Sequence, residues 1–239
     1  MKIFHRVKRL VESKIYKRKS IIPFDLNFLD GKSIAIVGGA DSVFKEKNGS
    51  YIDSFDVVIR INRGIDNLVG NSEYLGTKTD ILFHGLHEDP INGCGPVRPK
   101  FWKERGVKKV IFPLIDVPGE SELLKTYVSR GKGELPLMQI TSTIFRQIEN
   151  DLLGHRTTTG FAAIYLASKQ KYSKLFITGF TFFRTPHQKG YNDSVLIEEV
   201  RENIKSRNFH NPEVEFKYFV EHILKLDSIE IDSGMQEIV

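Results

Sequence analysis

A single cysteine, Cys94, stands in 239 residues. That scarcity excludes a disulfide framework and a cysteine-based zinc site, and it fits a reducing compartment. No apolar run approaches the ~18 residues that would cross a bilayer, and the N-terminus lacks the apolar segment of a secretory signal; a cytoplasmic protein is expected. The sequence Asp-x-Asp, a carboxylate pair that commonly holds Mg²⁺ or Mn²⁺, does not occur. Glu230-Ile231-Asp232 comes nearest, and strand alternation would put both carboxylates on one face, although this position reads as a surface strand. The dinucleotide fingerprint G-x-G-x-x-G is missing too: Gly38-Gly39-Ala40-Asp41-Ser42-Val43 lacks the second and third glycines, which argues against NAD or FAD.

What is present has an ordinary globular balance, 40% hydrophobic and 27% charged, and enough length to bury the core of one α/β domain. The net charge of +5 is unevenly placed. Residues 1–20 carry eight basic side chains against Glu12, a local +7 that leaves the remainder at −2. Basicity confined to one end argues against a nucleic-acid-binding domain, whose charge lines its folded surface. In the same stretch Ile3, Phe4, Val7, Leu10, Val11 and Ile15 fall at helical spacing. Two readings fit: a basic amphipathic helix lying on an anionic membrane surface, or a helix packed on the domain with a solvated basic face. We divide the chain into this N-terminal segment, 1–22, and one domain, 23–239.

Ile34 to Val37 is an apolar run that ends abruptly in Gly38-Gly39, the pattern of a buried parallel strand stopping where backbone approaches something bound. A second strand, Asp56 to Ile61, stops at Asn62-Arg63. Parallel strands deliver their ends to one edge, where open α/β sheets bind ligands. Further strands are expected at Ile81–Phe83, Lys108–Pro113, Lys174–Thr178 and Ile229–Ile231, with helices over 121–128, 142–153 and 195–205. Residues 64–73 and 181–193 read as loops, and 92–99 as irregular. His84 and His87, after the third strand, lack a third ligand at regular spacing for a metal. Thr157-Thr158-Thr159-Gly160 opens the apolar helix 161–168. By itself this reads as an N-cap at Thr158 or Thr159; the second reading is an anion site at the positive helix end. The last helix opens at Pro212, with Glu213 and Glu215 in its first turn and Phe216, Phe219, Val220, Ile223 and Leu224 toward the core. His210 stands just outside it.

Three stretches, in this order, resemble the sialyltransferases of glycosyltransferase family 29. Ile36 to Ala40, Ile52 to Asn62 and Gly76-Thr-Lys-Thr79 together look like the large sialylmotif; Thr158-Thr-Gly160 with Leu175 to Phe180 looks like the small one. His210 and Glu215 form the His-x4-Glu pattern of the very small motif. The bacterial family-42 sialyltransferases share similar features. Gly39 stands where the family usually has Asn, the third, His-Tyr-rich motif has no clean copy, with His187 or Gly190-Tyr191-Asn192-Asp193 as stand-ins, and the cysteines of the eukaryotic structural disulfide are absent. These departures imply a cytoplasmic, bacterial or viral, relative.

The resemblance implies a single Rossmann-like α/β domain, a mostly parallel twisted sheet flanked by helices, of the sialyltransferase type. It implies inverting, metal-independent transfer of sialic acid, or another nonulosonic acid, from its CMP ester to a glycan hydroxyl, with no cofactor. His210 would act as general base with Glu215 orienting its neighbourhood, and His187 would supply a proton or positive charge. Gly38, Gly39, Asn62, Thr158, Thr159 and Gly160 would hold the donor nucleotide and its phosphate. The acceptor would be a bacterial surface glycan or lipooligosaccharide, with the enzyme cytoplasmic and peripheral at the inner membrane face. Two alternatives stand beside this: a CMP-Kdo-dependent transferase, and a nucleotide-binding module without catalysis.

Overall fold

The computed structural model describes residues 15–88, 94–191, 193, 195–207 and 209–239. The amphipathic pattern of residues 1–14 and parts of the segments 92–99 and 190–193 lie outside the described residues.

Among the described residues eight strands form one all-parallel sheet: β1 (Ile21–Ile22), β2 (Ser33–Val37), β3 (Val57–Ile61), β4 (Ile81–Phe83), β5 (Lys109–Phe112), β6 (Leu137–Gln139), β7 (Lys174–Thr178) and β8 (Ile229–Ile231). Their spatial order is β1-β6-β5-β4-β3-β2-β7-β8. From β2 the chain therefore walks outward through β3 to β6, then returns across the sheet to place β7 on the other side of β2. That reversal makes β2/β7 the topological switch point, where open α/β sheets leave a crevice.

Strand alternation splits the core into two layers. Ile34, Ile36, Ile59, Ile61, Ile81, Phe83, Leu175 and Ile177 face one side; Ala35, Val37, Val58, Leu82, Val110, Phe112 and Phe176 face the other. Burial on both faces is why these strands read as continuous apolar runs. Besides the helical residues 15–20, nine helices of the described residues cover them: α1 (Gly49–Asp53), α2 (Ser72–Leu75), α3 (Pro99–Glu104), α4 (Glu120–Gly131), α5 (Ser142–Asp151), α6 (Thr159–Ser168), α7 (Ile197–Arg207), α8 (Pro212–Tyr218) and α9 (Ser233–Gln236). Every residue of α6 from Phe161 to Ser168 is buried, and each large apolar side chain there contributes about 1.5–3 kcal/mol. Side chains set the helix starts. Thr141 caps α5, Thr158 caps α6, and Asn211 caps α8 by accepting from the N–H groups of Glu213 and Val214.

Several expectations change. Ile21 and Ile22, assigned above to the N-terminal segment, form edge strand β1 on β6; two residues are too short a run for alternation to show. β6, which follows Pro136 directly, and the short α3 were not anticipated. Residues 64–73, read as loop, include the end of a 3-10 turn (Asn62–Ile65) and the start of α2. The Gly76 to Asp80 stretch is structural. Buried Arg60 donates to the carbonyls of Lys78 (3.1 Å) and Leu75 (2.6 Å) and to the Thr79 hydroxyl (3.0 Å), and burial lowers its pKa to about 10. Asp53 accepts the N–H groups of Thr77 and Lys78, each at 2.9 Å.

Candidate active site

At the carboxyl ends of β2, β3 and β7 lies a cavity of about 510 Å³, the size of a small-molecule site. Its floor is the glycine turn after β2. Gly38 N–H donates to Thr178 O at 2.8 Å and Ala40 N–H to Gly179 O at 3.0 Å, which ties the turns after β2 and β7 together. The glycines serve packing inside the protein. A Cβ on Gly38 would come within 2.2 Å of Gly179 O, and one on Gly39 within 2.8 Å of the Tyr191 ring. Gly39 lines the cavity, while Gly38 sits beneath it against Gly179.

Asn62 follows β3 directly with φ 47°, a left-handed conformation that Asn tolerates better than most residues. Its Oδ1 accepts the Gly85 N–H at 3.0 Å, and its side chain also hydrogen-bonds Tyr191. Tyr191 is buried and donates its hydroxyl to Ile61 O at 3.2 Å. His187 stacks on Tyr191 with ring centroids 5.1 Å apart, and its strand-like pairing with Ala40 holds it beside the glycine turn. Burial lowers the His187 pKa, against an opposing pull from Asp41, so its ring is neutral near pH 7.

Across from this floor is the start of α6. Thr158 accepts the Phe161 N–H at 3.2 Å: the capping reading holds. Thr159 and Gly160 line the cavity and belong to a first turn whose N–H groups have no intrahelical acceptor. Gly160 also answers a packing need, since a Cβ would meet the Phe180 ring at 2.9 Å.

His210 and Glu215 both reach the cavity but have different partners. His210 Nδ1 lies 2.9 Å from Arg156 O. A carbonyl can only accept, so Nδ1 carries the proton and the neutral ring leaves the Nε2 lone pair available. Burial lowers the His210 pKa, reinforced by the nearby Arg156 and Arg207. Glu215 is turned toward α6: it accepts the Thr158 N–H at 2.6 Å and the Thr158 hydroxyl at 2.9 Å. Its contact to the helix start is direct, and its burial raises its pKa to about 8 in spite of those donors. Glu215 is thus a positioning residue for α6, and not a solvated first-turn acid.

The remaining wall was not anticipated from the residues. Phe180, Phe182 and Phe183 follow β7 directly, and Val200, Asn203, Ile204 and Arg207 present one face of α7 to the cavity. Phe182 and Phe183 both have left-handed backbones, φ 51° and 59°, each costing on the order of 1–3 kcal/mol. Arg201 of α7 offsets part of that cost by donating at 2.7 Å to the carbonyls of Phe183 and Arg184. The sequence signal was the aromatic cluster immediately after a strand end at the ligand edge.

Candidate metal ligands are otherwise engaged. His84 is buried against Trp102 with centroids 4.7 Å apart; its Nδ1 accepts the Leu86 N–H, its ring hydrogen-bonds the Cys94 backbone, and burial pushes its pKa to about 3. Glu230 pairs with Lys174 at 2.8 Å. Asp232 caps α9 by accepting the Met235 N–H at 2.8 Å, and Thr178 donates its hydroxyl to it. Among the described residues no group of three His, Cys, Asp or Glu side chains could hold a metal ion.

A doubly wound sheet with a cavity at its switch point, lined by a glycine turn, a threonine-rich helix start and the three histidines His87, His187 and His210, defines a ligand-binding α/β enzyme fold. Residues 7–226 match Glycosyltransferase family 29 (sialyltransferase). The chain belongs to this family and is a glycosyltransferase, of a class that uses a CMP-sugar donor and a glycan acceptor. No curated protein matches the sequence. Among solved structures, a mammalian sialyltransferase superposes with TM-score 0.56 at 15% identity, covering 85% of this chain and 70% of that one; at that identity the likeness concerns the fold. A mammalian sialyltransferase in complex with Gal-beta-1-3GalNAc-ortho-nitrophenol matches with TM-score 0.49 at the same identity and coverage.

Proposed function

We propose that the protein transfers sialic acid, or a related nonulosonic acid, from its CMP ester to a glycan hydroxyl by a single inverting displacement that needs no metal. One observation carries the reading: the Nδ1–H of His210 is committed to Arg156 O at 2.9 Å, which leaves Nε2 as a base in the same cavity as the start of α6. In a displacement of this kind the base takes the acceptor proton as the new bond forms, typically worth ~10²–10⁴-fold. The leaving CMP phosphate gathers charge, and the N–H groups of the α6 start, with Thr159, meet it without a cation. Glu215 fixes where that helix begins. Asn62 and Gly39 hold ribose and base, and His187, neutral at pH 7, serves as a hydrogen-bond donor near the phosphate.

The acceptor in this proposal is a bacterial surface glycan or lipooligosaccharide. The enzyme works from the cytoplasmic side, with the basic residues 1–20 against an anionic membrane surface. Vesicle sedimentation of the full chain against a form beginning at Pro23 tests that part; equal behaviour of both rejects it.

The central test is release of CMP from CMP-Neu5Ac and from CMP-Kdo, with EDTA present, by the parent and by His210→Ala. Turnover of CMP-Neu5Ac that collapses in the variant is expected. Turnover of CMP-Kdo alone reassigns the donor, and nucleotide binding without turnover of either donor rejects the catalytic assignment.

A further inference from the structure

The base end of the cavity carries positive charge. Arg156 and Arg207 both line it. Glu215, the one acidic side chain among the described lining residues, is engaged by Thr158. Arg156 is strapped to the base: its N–H donates to Phe209 O at 2.8 Å, and its carbonyl accepts from His210. Its guanidinium, only 27% exposed, finds weak partners. Nη1 and Nη2 share the Asp116 carbonyl at 3.4 Å, and Nε lies 3.7 Å from Glu149, beyond the range of strong charge-assisted bonds. The Phe145 and Phe209 rings flank it at 5.5 and 5.7 Å. A planar fork with several donors held in long contacts, between aromatic rings, is suited to a carboxylate or phosphate.

We infer that Arg156, with Arg207 beside it, forms an anion subsite for the acceptor, which is therefore an acidic glycan bearing a carboxylate or phosphate next to the hydroxyl that receives the sugar. The inference rests on the proposed role of His210, because the base marks the acceptor's end of the cavity. A neutral acceptor would desolvate the guanidinium without return, whereas an anion regains that cost in charge-assisted hydrogen bonds. The donor's own carboxylate offers the same chemistry, so the test separates the two sources.

Calorimetric binding needs no turnover and so stands apart from failure of the catalytic reading. With CMP bound, the full chain is titrated with galactosyl-glucuronic acid and with galactosyl-glucose, which differ by one carboxylate. The acid is expected to bind about ten- to a hundred-fold more tightly. Arg156→Gln should erase that preference, Arg156→Lys should keep part of it, and added salt should shrink it. Equal binding of the two disaccharides, or no binding of the acid, overturns the inference. It is also overturned if Arg156→Gln leaves the preference intact and instead removes the advantage of CMP-Neu5Ac over CMP, for then the donor's carboxylate occupies the subsite. Retained cooperative unfolding of both variants confirms that the comparison is between folded proteins.

Discussion

The floor and the far wall of the cavity are built in opposite ways. The floor is backbone: two glycine turns bonded to each other, with Gly38 and Gly39 fixed by steric need, since an added Cβ would come within 2.2 and 2.8 Å of neighbouring atoms. The far wall is side chains: the histidine, glutamate and arginines of residues 155–161 and 207–215, and phenylalanines held in left-handed backbone by Arg201. A residue type dictated by packing says where a ligand can lie, and one dictated by chemistry says what happens to it. Motif likeness alone does not separate these. The Gly76 to Asp80 stretch resembles a nucleotide motif, yet its described contacts run to Arg60 and Asp53 inside the fold.

Substitutions that respect one side and damage the other sharpen this contrast. The largest effect is expected from His210→Ala: CMP release should fall by ~10²–10⁴-fold with little change in melting temperature. In the parent, kcat/KM should climb with pH along a limb centred below 6.5, because burial lowers the His210 pKa; a limb centred above 6.5 would contradict the environment described. Gly38→Ala should do the reverse. Overpacking against Gly179 should cost at least about 1–3 kcal/mol of stability, measured by denaturant unfolding, and wild-type melting would show that the floor yields.

Glu215 couples both sides. Removing it in Glu215→Ala leaves buried donors of Thr158 unpaired, worth about 1–3 kcal/mol, while Glu215→Gln should lose less. Its pH signature has a definite sign. A carboxyl raised from 4.5 to about 8 in the fold holds its proton more tightly folded than unfolded, so its contribution to stability is present at low pH and declines between about 4.5 and 8. Unfolding measured across that window should be flatter in Glu215→Gln. The smallest effect belongs to Arg201→Ala, which removes two 2.7 Å bonds to carbonyls behind the strained phenylalanines. We expect about 0.5–1.5 kcal/mol for each bond lost, seen in binding of ligand more than in global unfolding, since α7 is peripheral to both core layers.

How far each part was legible follows the same division. The long strands β2, β3 and β7 and helix α6 announce themselves as apolar runs because both of their faces are covered. β1 holds two residues, too few for a pattern, and in β6 the apolar run is only Leu137-Met138, set between Pro136 and Gln139. The partners of Glu215 were hidden for a different reason: its position five residues after His210 says nothing about which way a side chain turns, and it turned to a threonine 57 residues away.

The sequence by itself determined the layered α/β architecture, the ligand edge at Gly38-Gly39 and Asn62, and the capped start of α6, because alternation, glycine turns and N-caps are local physics. Only the tertiary structure decided that His210 leans on Arg156, that Glu215 anchors α6 and that α7 closes an aromatic wall. These depend on which distant backbone carbonyls and side chains the sheet order brings within hydrogen-bond reach, and no local pattern encodes that.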